Sequence, residues 1–195
     1  DMEVKTYYLL TFKDQNGYNI FHNDRHKKLF LRLYEYFLVK ELNTYAWTML
    51  PGKALFLCSV RYPIKNAPKL KEVALYNKKG FDNLINLFND YLRKEESKHI
   101  FLDAKARPLD EYPETFLAGF TSYIHCLPVF QRLAENFIDY GWSSYLPLLH
   151  QKYTFLHCKT VLGWFGGPKE YQKFHYQMLE VKKARDVCRN MGKFC

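Results

Sequence analysis

Residues 44–60 read TYAWTMLPGKALFLCSV. Thr44–Leu50 and Ala54–Arg61 are rich in β-branched and aromatic residues, so each is a predicted strand. Between them lies Pro51-Gly52, where Pro fixes φ and Gly tolerates positive φ, so the pair is a predicted hairpin. Side chains two apart on a strand leave the same face. Lys53 and Leu55, with Ala54 between them, therefore share one side of the returning strand.

Working outward, Val4–Phe12 reads as a strand ending before the turn residues Asp14 to Gly17. Asn23 or Asp24 can cap a following helix, whose apolar stripe is Phe30, Leu33, Tyr34, Phe37 and Leu38. After the hairpin, Tyr62–Lys79 holds two prolines and several lysines and reads as a loop. Phe81, Leu84, Ile85, Phe88 and Leu92 form a second helical stripe, and His99–Asp103 reads as a short strand. The order strand, helix, strand, strand, helix, strand is the split βαβ arrangement. It predicts an α+β fold: a ferredoxin-like antiparallel sheet with both helices on one face. Pro113 suits the first turn of a third helix with the stripe Phe116, Phe120, Tyr123, Ile124 and Leu127, closed by Pro128. Residues 129–195 read as helical, with short segments opening at Trp142 to Tyr145 and over Lys159–Phe165. Gly166-Gly167 is the stop before a last helix from Pro168 to about Ala184. The expected organisation is a domain over 1–130 and a helical C-terminal extension over 131–195. Trp142, Tyr145 and Trp164 read as packing anchors of that extension.

The chain has 195 residues, 48% of them hydrophobic and 18% aromatic, which excludes a disordered protein. No apolar run is long enough to span a membrane, and residues 1–5 lack a signal peptide's layout. Five cysteines, at 58, 126, 158, 188 and 195, are odd in number and form no CxxC pair. They read as thiols in a reducing cytoplasm. His157-Cys158 with His150 or Cys126 fits no zinc spacing. Formal net charge is +9, and residues 51–110 hold twelve Lys/Arg against seven Asp/Glu. A basic surface suits a phosphate backbone.

Four segments in order carry a family resemblance: TYAWTMLPGKALFLCSV, FDNLINLFNDYLRKE, ARPLDEYPETFLAGFTSYIHCLPV, and DYGWSSYLPLL with VLGWFGG. Together they resemble the REP-associated branch of the single-tyrosine, HUH-class transposases, over roughly residues 5 to 175. That family has a "MPNHxH" hairpin, a "YIHLNPV" helix and a downstream "WSSY". The resemblance implies enzymes that cut and rejoin single-stranded DNA beside a hairpin. A tyrosine attacks the phosphodiester, and two histidines on one strand face help hold Mg²⁺ or Mn²⁺.

Carried over by residue, Met49-Leu50-Pro51 matches the lead-in and Gly52 stands where Asn or Glu is usual. Lys53 and Leu55 occupy the two ligand positions. A protonated lysine has no lone pair for a metal, and leucine never has one. Tyr123 matches the nucleophile, and Leu127 replaces the Asn before Pro-Val. Tyr123 also lies in the middle of its apolar stripe, so the residues by themselves read it as core. Tyr91, His99 and His125 are weaker candidates for tyrosine or ligand roles. The expectation is a degenerate, catalytically dead transposase-like protein without a cofactor, binding single-stranded or hairpin DNA as a cytoplasmic monomer or homodimer. Its expected DNA contacts are Lys53, Lys78, Lys79, Arg93, Lys94, Lys98, Lys105 and Arg107. The competing expectation is a protein-interaction module with no nucleic-acid role.

Overall fold

The computed structural model describes residues 6–61, 78–96, 100–109, 112–151 and 154–180. The chain divides into two compact units, one of residues 1–44 with 49–111, the other of 45–48 with 112–195. The fold is α+β. Its strands are β1 (Tyr7–Asp14), β2 (Leu42–Leu50), β3 (Lys53–Val60) and β4 (Leu102–Pro108). They form one sheet in the order β2-β3-β1-β4, with β1 antiparallel to both β3 and β4. This is the order that a split βαβ pattern requires. Two helices complete it, α1 (Asp24–Leu38) after β1 and α2 (Lys78–Glu96) after β3. Asn23 caps α1, its side chain accepting the His26 N–H at 2.8 Å.

One face of the sheet meets both helices. Phe12 on β1 packs edge-on against Phe30 and Tyr34 of α1 and stacks with Phe81 of α2. Tyr34 stacks on Phe56 of β3 with centroids 4.0 Å apart, and its hydroxyl bonds Thr44 Oγ1 at 2.9 Å. Phe30 also meets Phe21 and Phe88. The stripes on α1 and α2 read from the sequence are thus the first unit's core, although Leu33 and Phe37 are only half-buried.

The last strand departs from expectation. The pattern His99–Asp103 predicts it too early, since the strand runs over Leu102–Pro108. Ala104 and Ala106 share the face of Leu102, opposite Phe12 and Leu10 of β1, while Asp103, Lys105 and Arg107 share the other face, so three of the strand's seven residues are charged. Residues 62–77, most of the expected loop, lie outside the described residues; Lys78 and Lys79 already belong to α2.

The second unit contains α3 (Leu117–Phe130), α4 (Tyr145–His150), α5 (Cys158–Phe165) and α6 (Pro168–Glu180). Glu114–Phe116 forms a 3-10 turn before α3, which leaves Phe116 50% exposed rather than on a buried stripe. The sequence reading groups α3 with residues 1–130; by compactness it clusters with the C-terminal helices. Nor does Pro128 end the helix: α3 runs to Phe130, since a proline in the last turn forfeits only its own N–H bond. Every residue from Thr121 to Pro128 is buried, so α3 is covered on all sides. Gly166 and Gly167 separate α5 from α6 at φ of 84° and 123°, which side-chain-bearing residues resist.

Candidate nucleic-acid interface

The register of β1 defines which side chains accompany Lys53. Lys13 lies opposite Lys53 on β3 and Asp103 on β4; Thr11 opposite Leu55 and Lys105; Leu9 opposite Leu57 and Arg107. Directly opposed residues project from the same face. Lys13, Lys53, Asp103, Lys105 and Arg107 therefore share the side of the sheet opposite to α1 and α2. The middle of that side is apolar and buried, with Leu9, Leu55, Leu57 and Thr11 all 7% exposed or less. Its accessible part follows edge strand β4 through Arg107 and Lys105, then turns across the sheet end through Lys13 and Lys53. Four cations and one carboxylate line it.

The expected cations thus separate into two groups. Lys53, Lys105 and Arg107 come together and gain Lys13, which the sequence reading missed. Its signal was available, since Lys13 falls one residue beyond the expected end of β1 and in phase with Thr11. Lys79 lies in the first turn of α2 and Arg93 and Lys94 in its last, all exposed. These ends are about 21 Å apart by helix rise, on the helix side of the sheet. Arg93 is paired with Asp90 of its own helix. Lys78 lies at the start of α2, and Lys98 lies outside the described residues, as does His99.

The residues present do not fit the divalent ion that the resemblance implies. Leu55 is fully buried and without a lone pair, and Lys53 brings a positive charge to the other ligand position. Among the described residues no three His, Cys, Asp or Glu side chains converge on a metal geometry. Gly52 offers no replacement ligand. A Cβ there would meet Asn19 Oδ1 at 3.2 Å, because the loop after β1 closes on this turn with a Phe21 N–H bond to the Pro51 carbonyl at 2.8 Å.

Tyr123 belongs to the second unit. It is 5% exposed, and its ring is tilted against Phe130 at 6.3 Å. His125, two residues on, is fully buried in a hydrogen-bonded chain. His175 Nδ1 donates to the Tyr171 carbonyl at 2.7 Å. Its Nε2 therefore accepts from His125 Nδ1 at 2.9 Å, and His125 Nε2 accepts the Ser144 hydroxyl at 2.7 Å. Ser144 Oγ in turn accepts the Trp47 N–H at 2.8 Å. This order of donors gives each imidazole one neutral tautomer. Burial holds both below the usual histidine range, His175 at about 4 and His125 well below its ordinary value, the latter also opposed by the neighbouring His175.

A serine, a histidine and a second histidine at these distances have the spacing of an activated nucleophile. Ser144 is fully buried, however, so no substrate reaches it. The chain fastens the WSSY segment instead. Ser143 bridges Thr48, Ser144 and Trp47 exchange backbone and side-chain bonds, and Tyr145 stacks on Tyr171 at 5.1 Å. Trp164, half-buried, meets Tyr45 at 5.1 Å, an anchor as expected. No helix among the described residues is long and apolar enough to cross a membrane.

Comparison with known proteins gives no matching family model and no matching curated protein. Among solved structures, a REP-associated tyrosine transposase bound to a REP hairpin superposes with a TM-score of 0.48 at 12% identity, over 76% of this chain and 82% of that one. A bacterial tRNA(His) guanylyltransferase (Thg1)-like protein in complex with ATP gives 0.38 at 13% identity, over 69% and 66% of the two chains. The same kind of protein in complex with GTP gives 0.38 at 12%, over 67% and 69%.

Proposed function

We propose that this chain is a transposase-like DNA-binding protein that holds single-stranded or hairpin DNA by its phosphates and does not cleave it by a metal-assisted route. The observation that carries the reading is the strand register, which gathers Lys13, Lys53, Lys105 and Arg107 on one side of the sheet while the second ligand position is a buried leucine. An ammonium at Lys53 supplies a fixed cation where the family resemblance implies a metal, and a fixed cation binds a phosphate without generating a nucleophile.

The test is fluorescence anisotropy with a DNA hairpin bearing a single-stranded tail, over a range of salt. Four neutralised phosphates give a slope of about −2.8 in log affinity against log salt. Replacing Lys105 and Arg107 together by Gln is expected to reduce that slope by about 1.4. Affinity is expected to be the same in Mg²⁺ and in EDTA at matched ionic strength. A flat salt response, or no binding at low salt, overturns this reading in favour of a protein partner.

A further inference from the structure

The corner where the basic edge of β4 meets the sheet end carries an exposed aromatic ring. Phe101 is 53% exposed, whereas its neighbours Ile100 and Leu102 are 1% and 4% exposed. That alternation continues the pleat of β4, so Phe101 lies on the same side as Asp103, Lys105 and Arg107. It stands about 7 Å beyond Asp103, two residues along the strand.

The ring is not exposed because its backbone is loose. The Phe101 N–H donates to Asp14 Oδ1 at 2.7 Å, and its carbonyl accepts the Gln15 N–H at 3.0 Å. Asp14 is itself buried, at 1% exposure. Its other oxygen accepts the N–H groups of Asn16 at 2.7 Å and Tyr18 at 3.1 Å. One buried carboxylate thus fixes both the turn after β1 and the peptide that presents Phe101. Charge-assisted bonds of this kind are the stronger ones, and they hold an apolar ring in water at the end of the basic edge, with Asp103 and Lys13 the nearest charged pair along the sheet.

We infer that Phe101 is a stacking platform for an unpaired nucleobase, so that the nucleic acid bound here is single-stranded at this corner. The inference rests on the nucleic-acid reading above. The edge that runs on from this corner carries Lys105 and Arg107, and the sheet end carries Lys13 and Lys53, so a strand whose phosphates follow those cations brings a base to the exposed ring. Bases inside a duplex already have both faces stacked, so only an unpaired base offers its face to the ring. Stacking on an aromatic side chain is tolerant of base identity.

The experiment compares the full chain and Phe101→Ala on two oligonucleotides of equal length and charge, one of thymidines and one of abasic nucleotides. The unaltered protein is expected to prefer the thymidine strand by about tenfold. Phe101→Ala is expected to lose that preference while keeping the same salt slope, and Phe101→Trp to retain it. Salt-sensitive binding without a base preference, or a preference unchanged in Phe101→Ala, overturns the stacking inference and leaves the phosphate-binding reading standing. Absence of binding to both strands overturns the phosphate-binding reading and the inference with it.

Discussion

The two units are both rich in aromatic rings, yet they are held in different ways. In the first, Phe12, Phe21, Phe30, Phe56 and Phe88 fill the space between sheet and helices, and Tyr34 spends its hydroxyl on Thr44. In the second, Tyr145, Tyr171 and Phe137 surround two imidazoles that must stay neutral to keep their bonds. Apolar packing is indifferent to pH, whereas a buried histidine pair is not. The contrast can be observed directly, because Trp47, Trp142 and Trp164, the three tryptophans of the chain, all belong to the second unit. Tryptophan fluorescence reports that unit, and hydrogen exchange of the β1 and β3 amides reports the first.

The largest expected effect is in the first unit. Phe12 is fully buried and touches rings on α1, α2 and β3. Phe12→Ala is expected to cost about 3–5 kcal/mol in denaturant unfolding, equally at pH 5 and pH 8. A strongly pH-dependent loss would break the comparison.

Rebuilding the two-histidine face by Lys53→His with Leu55→His tests the same unit from its other side. Leu55 is fully buried, so a histidine there loses apolar burial and needs a new polar partner. The expected cost is about 2–4 kcal/mol. A double variant of unchanged melting temperature that binds Mn²⁺ in a calorimetric titration would show that the site tolerates a metal after all.

Acid should act on the second unit. A histidine held below its unfolded value stabilises the fold fully above about pH 6.5. That contribution declines as pH falls toward the folded value of about 4 for His175. The loss over this window is on the order of 3 kcal/mol. Tyr145 and Tyr171 face the pair, and burial pushes both hydroxyls up, so neither supplies a counter-charge in that range. Tryptophan emission is expected to shift between pH 6.5 and 4 before β1 and β3 lose exchange protection. His175→Gln keeps an acceptor for His125 and removes one titration, so its acid limb should be shallower. An unchanged limb would mean that other groups control the acid response.

The smallest effect is expected at Tyr123. Tyr123→Phe keeps the ring in its buried place, so stability should change by about 1 kcal/mol. A denaturing gel is expected to show no DNA-linked band from the unmodified protein. A covalent band that disappears in Tyr123→Phe would overturn the view of Tyr123 as a packing residue.

Local pattern made much of this protein legible. Pro51-Gly52 between two apolar runs announces the hairpin, and stripes at helical spacing announce α1 and α2, because turn chemistry and periodicity act between residues close in the chain. Two-residue alternation alone puts Lys53 and Leu55 on one face of the strand; that these are ligand positions, and so the mismatch with a metal, is what the family resemblance implies. Tertiary structure decided the rest. His125 is an ordinary helical residue until His175, 50 positions later, receives its proton bond. Phe101 looks like the interior of a strand in the run HIFLD. It becomes an exposed, fixed ring only because Asp14, 87 positions earlier, holds its peptide. Basic residues that are neighbours in sequence, on α2 and β4, end on opposite sides of the sheet. Alternation fixes which side chains travel together, whereas burial, tautomer and exposure depend on distant partners.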